Sequence, residues 1–394
     1  MLLDDYQPPA SPLPDGDEPP MFRVVGLGVK GAGKSVLLAT MFHELNYSTP
    51  QRSYYLDTDG ETRIALGDIY AEVSDPSRAW PPGTLKANTR EFVFDCFANH
   101  HKGGRPVLSI SFLEFAGELL ERAQEPGSTA QTTLLGHIKH ADALLGMIDG
   151  HRVLQLLRGE PAGHEYFQHT LRPMLGFMHH ATCPIHLVIT KWDLVRGFGE
   201  PQDADDQLRL ERVVEALLRY EHIKALTHTL GDGGQKVVRL IPVSAVGSRF
   251  AQLDHDGTVS KRPDGQMRPM NVEVPLCAVV PDLFSQVERD LNERSRRRLQ
   301  RAMRAYLRSE MGSVLAHMLR RPAIAAASVL IPGYGGAAVV LFLEWLAPRP
   351  DQTRDPRKAI ETEMATRQQV LDDFRRSVLR LEAALPQSSL SGRW

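Results

Sequence analysis

From residue 22 to about residue 245 the chain alternates short, nearly unbroken apolar runs with longer segments whose apolar positions recur at helical spacing. The runs are "FRVVGL", "EFVFDCF", "PVLSISFLEF", "ADALLGMID", "PIHLVIT" and "VVRLIPVSA". Strands apolar on both faces belong to a sheet covered by helices on each side, so the pattern predicts an α/β domain with a parallel or mostly parallel sheet. The second and third runs are joined by the turn-rich "ANHHKGGR" and predict an antiparallel hairpin at one sheet edge. Three stretches, residues 46–80, 195–206 and 247–275, read as long loops, and long ordered loops are commonly functional.

Beyond Pro281 the rhythm changes. Leu283, Val287, Leu291, Leu299, Met303, Leu307, Met311, Leu315 and Met318 recur close to helical spacing, with one gap at Ser295, which predicts one long helix or two. Ten arginines between Arg289 and Arg321 crowd this segment, facing an anionic membrane surface, acidic partners or solvent. Ala323 to Leu343 is then uncharged over 21 residues, about 31 Å as a helix and nominally enough to cross a bilayer. "PGYGG" at 332–336 divides it into two short halves, which favours a helical hairpin buried in protein, or a re-entrant insertion, over a straight span. Farther on, Ile360, Met364, Leu371, Phe374, Val378, Leu381 and Leu385 keep a four-three spacing interrupted at Arg367. That is a heptad seam, and it packs either on its own chain or on a second copy. The expected division is a leader at 1–20, an α/β domain at 21–282, a basic helix at 283–322, an apolar hairpin at 323–347 and a heptad helix with tail at 348–394.

Composition adds exclusions. Forty-six basic residues against 48 acidic ones give a net charge of −2, so no nucleic-acid partner is expected. The first twenty residues hold six prolines and five acidic residues without an apolar core, which predicts a disordered acidic leader and no signal peptide. Cys96, Cys183 and Cys277 lie far apart with no CxxC pair, as expected in a reducing, cytoplasmic setting, free or peripheral to the inner face of the membrane. The histidine pairs, such as His137 and His140, lack carboxylate or cysteine partners at metal-ligand spacing.

"GVKGAGKS", residues 28–35, matches GxxxxGKS in full and lies between a predicted strand and a predicted helix. Gly28, Gly31 and Gly33 let backbone amides turn inward around phosphates, and the following helix adds its positive end. Lys34 reaches the terminal phosphates and the Ser35 hydroxyl ligates magnesium, with Val36 beside them in the binding segment. "ITKWDL" places Thr190, Lys191 and Asp193 at the end of an apolar run. A carboxylate there pairs with the ring N–H and exocyclic amino group of guanine. Adenine lacks that donor pair, so Asp193 selects GTP over ATP. Lys191 lays its stem along the base. "LIPVSAVG" supplies Ser244 and Ala245, where a backbone N–H meets the guanine O6.

This order of motifs resembles the translation-factor and Ras-like class of P-loop GTPases over residues 21–292, and "WPPGT", "LEFAGE" and "NVEVPL" are similar to the bacterial double-GTPase subgroup found with conflict or immunity systems. The resemblance implies a three-layer P-loop sandwich with a mostly parallel sheet, here followed by a C-terminal helical region with an apolar helical hairpin. It implies GTP or GDP as ligand and Mg²⁺ as cofactor. A switch threonine falls on Thr84, with Thr89 as the alternative. The family's Asp-x-x-Gly stands here as Glu114 to Gly117, a departure that lengthens the acidic side chain by one methylene, and a water-orienting glutamine is replaced by Glu118. Lys34, Thr84, Gly117 and Glu118 are thereby implied in catalysis, and Ser35, Thr84 and Glu114 in holding the metal. Lys30, an extra lysine inside the loop, either faces solvent or approaches the phosphates and Glu118. The implied function is a switch that hydrolyses GTP slowly and signals through its C-terminal helices to effector proteins encoded nearby. Two alternatives stand beside it: a nucleotide-controlled, membrane-associated or oligomeric assembly protein built through those helices, and a scaffold with little turnover.

Overall fold

In a computed structural model of the protein, the structure describes residues 19–82, 89–99, 104–115, 117–197, 205–228, 230–231, 234–254, 257–290, 341, 345 and 356–390. Seven strands form one sheet in the order β2-β3-β4-β1-β5-β6-β9. They are β1 (Met21–Gly28), β2 (Tyr54–Asp57), β3 (Arg90–Ala98), β4 (Leu108–Glu114), β5 (Ala143–Asp149), β6 (Ile185–Thr190) and β9 (Val238–Pro242). Short pairs are made by β7 (Leu230–Gly231) with β8 (Gly234–Gln235), and by β10 (Ala251–Leu253) with β11 (Val259–Lys261). β4, β1, β5, β6 and β9 run parallel, and β3 pairs antiparallel with both β2 and β4. The central strands are buried on both faces: every residue of β6, and all of β5 but Asp149, is inaccessible. That is why they read as continuous apolar runs, whereas β3 alternates buried and partly exposed positions.

Helices cover both faces. They are α1 (Lys34–Leu45), α2 (Gly60–Ser74), α3 (Gly117–Arg122), α4 (Thr129–Lys139), α5 (Gly150–Leu157), α6 (Pro161–Glu165), α7 (Arg172–Met178), α8 (Trp192–Arg196), α9 (Asp206–Leu217), α10 (Glu221–His228), α11 (Val274–Cys277), α12 (Val279–Asp290) and α13 (Pro356–Ala384). The mostly parallel sheet between helical layers is the expected architecture.

Two loop expectations need correction. Residues 46–80 hold β2 and α2, so the antiparallel hairpin β3–β4 does not form the edge; β2 does. α2 escapes a hydrophobic pattern because only Leu66 and Val73 of its fifteen residues are buried. Its start is set instead by Asp59, whose side chain accepts from the Thr62 N–H. Within 247–275 lies the hairpin β10–β11, whose three-residue strands are too short to leave a periodic signal. The segment 195–206 falls largely outside the described residues.

Of the C-terminal expectations, residues 291–340 and most of the apolar run lie outside the described residues. Among the described residues no helix is long and apolar enough to cross a membrane. The heptad seam is occupied by its own chain: Leu371, Phe374, Val378 and Leu381 of α13, and Leu385 just past its end, are buried in the same core as the sheet, and α13 packs against α11 and α12. The Phe374 ring meets Tyr54 of β2 edge to face at 4.8 Å. The interruption at Arg367 is structural as well, since its buried guanidinium lies 5.8 Å from the Trp345 ring and donates to the Trp345 carbonyl.

Candidate functional site

In an open parallel sheet, ligands bind beyond the carboxyl ends of the strands, where connections to neighbouring helices diverge. The described residues of the 28–35, 114–118, 190–193 and 244–245 motifs sit there. β1 ends at Gly28 and its loop opens α1, β4 ends at Glu114, β5 at Asp149, β6 at Thr190, and the Ser244–Ala245 pair follows β9. A cleft of about 370 Å³ lies among them. It is lined by Lys30, Gly31, Gly33, Lys34, Ser35, Val36, Glu114, Gly117, Glu118, Thr190, Lys191, Asp193 and Ala245 of the expected set. Gly28 and Ser244 do not line it but bond to the lining residues Lys34 and Asp193, and Thr84 lies outside the described residues.

The loop 28–35 is shaped by backbone conformation. Gly33 caps α1 at φ 81°, a left-handed conformation that a side chain disfavours. Lys34 folds back over the loop, its ammonium donating to the carbonyls of Gly28 (2.7 Å) and Val29 (3.2 Å). Burial lowers its pKa, and the nearby Glu114 opposes that shift. Two further bonds pin the loop to the end of β6. The Thr190 hydroxyl donates to the Ala32 carbonyl at 2.8 Å, and the Lys191 ammonium reaches the Gly31 carbonyl at 3.1 Å and the Asp149 carboxylate at 2.9 Å.

Ser35 Oγ donates to Glu114 Oε1 at 3.0 Å. Glu114 is buried, and its second oxygen, Oε2, has no hydrogen-bond partner among the described residues. An orphaned carboxylate oxygen beside a serine hydroxyl is a donor set of hard oxygens, so these residues fit a magnesium ion. Gly117 packs on the loop so closely that an added Cβ would stand 2.5 Å from the Lys30 nitrogen, which only glycine allows. Lys30 and Glu118 meet across that contact at 3.6 Å, both substantially exposed.

At the other end of the cleft, Asp193 is buried, which raises its pKa, and it accepts from the Ser244 hydroxyl. Ser244 Oγ in turn accepts the Gly247 N–H at 2.8 Å. Position 244 is therefore bound to position 193 across 51 residues of sequence.

Several lining residues lie outside the 28–35, 190–193 and 244–245 motifs. Trp80, Pro81 and Pro82 line it from the segment after α2, and Arg90 lines it from the start of β3, where it stands opposite Glu114 in register. Asp149, paired with Lys191, also caps α5 by accepting the His151 N–H at 2.9 Å. Its place at the end of an apolar run is the one signal that could have marked it.

No curated protein matches the chain. Among solved structures, the chain is similar to the S. cerevisiae Ski7 GTPase-like domain bound to GTP, with 15% identity, 70% of this chain and 51% of that chain covered, and a TM-score of 0.34. It is similar to Aquifex aeolicus Era bound to GDP and AlF4− with 15% identity, 57% and 52% covered, and a TM-score of 0.28. Methanococcus maripaludis elongation factor SelB, in complex with a GTP analogue, gives 12% identity, 58% and 31% covered, and a TM-score of 0.27. The chain spans about half the length of the Ski7 domain structures. Residues 23–237 match the model of the Double-GTPase 2 family. That match runs from β1 through β6 to the threshold of β9 and takes in the loop 28–35, Glu114, Gly117 and Asp193, more than half of the chain, which belongs to the Double-GTPase 2 family.

Proposed function

We propose that the protein is a switch that binds GTP, hydrolyses it slowly to GDP and phosphate, and passes its nucleotide state to the C-terminal helices. The observation that carries this reading is the convergence on one cleft of a glycine-rich loop, a serine bonded to a buried glutamate and a buried aspartate fixed by Ser244. The loop amides and Lys34 bind the phosphates, Lys34 exchanging its carbonyl partners for phosphate oxygens. Ser35 and Glu114 would hold a magnesium ion, which when bound would supply positive charge to offset that of the phosphates. Asp193 takes the two guanine donors, and Ala245 offers its N–H to the base oxygen.

Glu118 stands at the phosphate end as the acceptor for the attacking water. A carboxylate there also repels the terminal phosphate, and Lys30 beside it offsets that repulsion in part. The balance favours a low intrinsic rate. Gly117, in contact with the loop backbone, is the point where a third phosphate displaces the chain and shifts α3. The same two glutamates favour a second reading, a scaffold that binds GTP with little turnover. Single-turnover phosphate release separates the two: measurable release that disappears in Lys34→Ala supports the switch, and release at the buffer rate by the wild-type chain supports the scaffold.

A further inference from the structure

The stretch between Val246 and Arg268 leaves and rejoins the fold at the base-reading end of the cleft. Ser244 and Met270 exchange backbone hydrogen bonds of 3.0 and 2.8 Å, and the Arg268 N–H donates to the Val246 carbonyl at 2.9 Å. From this root grows the hairpin β10–β11, which reaches across to the carboxyl end of α2. Lys261, the last residue of β11, makes the connection. Its ammonium donates to the carbonyls of Glu72 (2.5 Å), Asp75 (3.0 Å) and Ala79 (3.4 Å), and lies 4.9 Å from the Trp80 ring centre and 6.0 Å from that of Phe250. A cation that bonds helix-end carbonyls satisfies groups the helix itself leaves unpaired. Trp80 is fixed a second time, since its indole N–H donates to the Val259 carbonyl at 2.7 Å and its ring meets Phe250 edge to face at 6.2 Å.

Trp80, Ala251 and Val259 all line the cleft. They belong to a small apolar cluster, separate from the main core, that continues through Val36 to Ala245 and Val246. One wall of the cleft is thus assembled from α2, the Trp80 segment and the hairpin, elements that Lys261 ties together. We infer that this insertion is a clasp that sets how long nucleotide stays bound, with Lys261 as its positioning residue. The inference rests on the nucleotide reading of the cleft. Release of a ligand held behind such a wall requires the wall to open, and the cost of opening rises with the contacts that hold it.

The test is the dissociation rate of fluorescently labelled GDP from the full chain, chased with unlabelled GDP, alongside the thermal midpoint. Lys261→Ala should release GDP about tenfold faster with little change in midpoint, as loss of several charge-assisted bonds acts mainly on dissociation. Lys261→Arg should restore most of the retention, since a guanidinium also donates to carbonyls. Trp80→Phe, which keeps a ring but loses the bond to Val259, should fall between. Equal release by wild type and Lys261→Ala overturns the clasp alone, as does equally fast release by the alanine and arginine variants. Failure of the wild-type chain to hold labelled GDP overturns the nucleotide reading and the clasp with it.

Discussion

Glu118 and Lys30, paired at 3.6 Å, give one end of the cleft near-balanced charge. Their pair is exposed, so it contributes little to stability, and its weight lies in the local potential. With Glu118 as water acceptor, Glu118→Ala should lower turnover about tenfold or more while GDP affinity changes little. Lys30→Glu puts two carboxylates beside the site of the terminal phosphate and should weaken GTP more than GDP. Equal turnover in Glu118→Ala and wild type, measured by phosphate release, leaves Glu118 a bystander. At this scale the sequence was most legible where a spacing encodes chemistry: residues 28–35 and 190–193, far apart along the chain, come together at one cleft. Trp80 was visible only as part of "WPPGT", and its bond to Val259, 179 residues away, was not; Arg90 and Lys261 left no signal, because each meets partners brought near only by folding.

The elements are joined by a buried ionic network at the far edge of the sheet. Arg239 of β9 makes a two-pronged pair with Asp282 of α12 at 2.8 and 2.7 Å and reaches Glu382 of α13 at 2.6 Å. His186 of β6 lies 2.9 Å from the same aspartate. Although burial opposes ionisation, the bonds from Arg239 and His186 win and hold the Asp282 pKa down to about 2. A depressed carboxylate contributes stability that is present above its unfolded pKa, about 4, and lost as pH falls toward 2. Asp282→Asn leaves Arg239 short of a counter-charge and should cost about 3–5 kcal/mol near neutral pH. Chemical denaturation at several pH values should show the gap from wild type narrowing below about pH 4; a gap constant down to pH 2 contradicts the charge account. The apolar seam of α13 was readable as a seam, but its occupant was not, since a heptad pattern does not say whose surface it meets.

At the scale of the whole molecule, one core joins the sheet, its helices and α13, so the sheet that carries the cleft and the C-terminal helix belong to one body. The strands were legible because burial on both faces writes itself as unbroken apolar runs. β2, α2 and the β10–β11 hairpin were missed because short or weakly buried elements leave no period, and their positions are set by caps and cross-chain bonds. In the proposed function, this cleft reads guanine through Asp193. Equilibrium titration of the full chain with GDP, ADP and xanthosine diphosphate, in the presence of Mg²⁺, tests it most directly. Wild type should bind GDP at least about a hundredfold more tightly than ADP, and Asp193→Asn should transfer that preference to the xanthine nucleotide. Comparable affinity for GDP and ADP, or an Asp193→Asn variant that still prefers GDP, would contradict it.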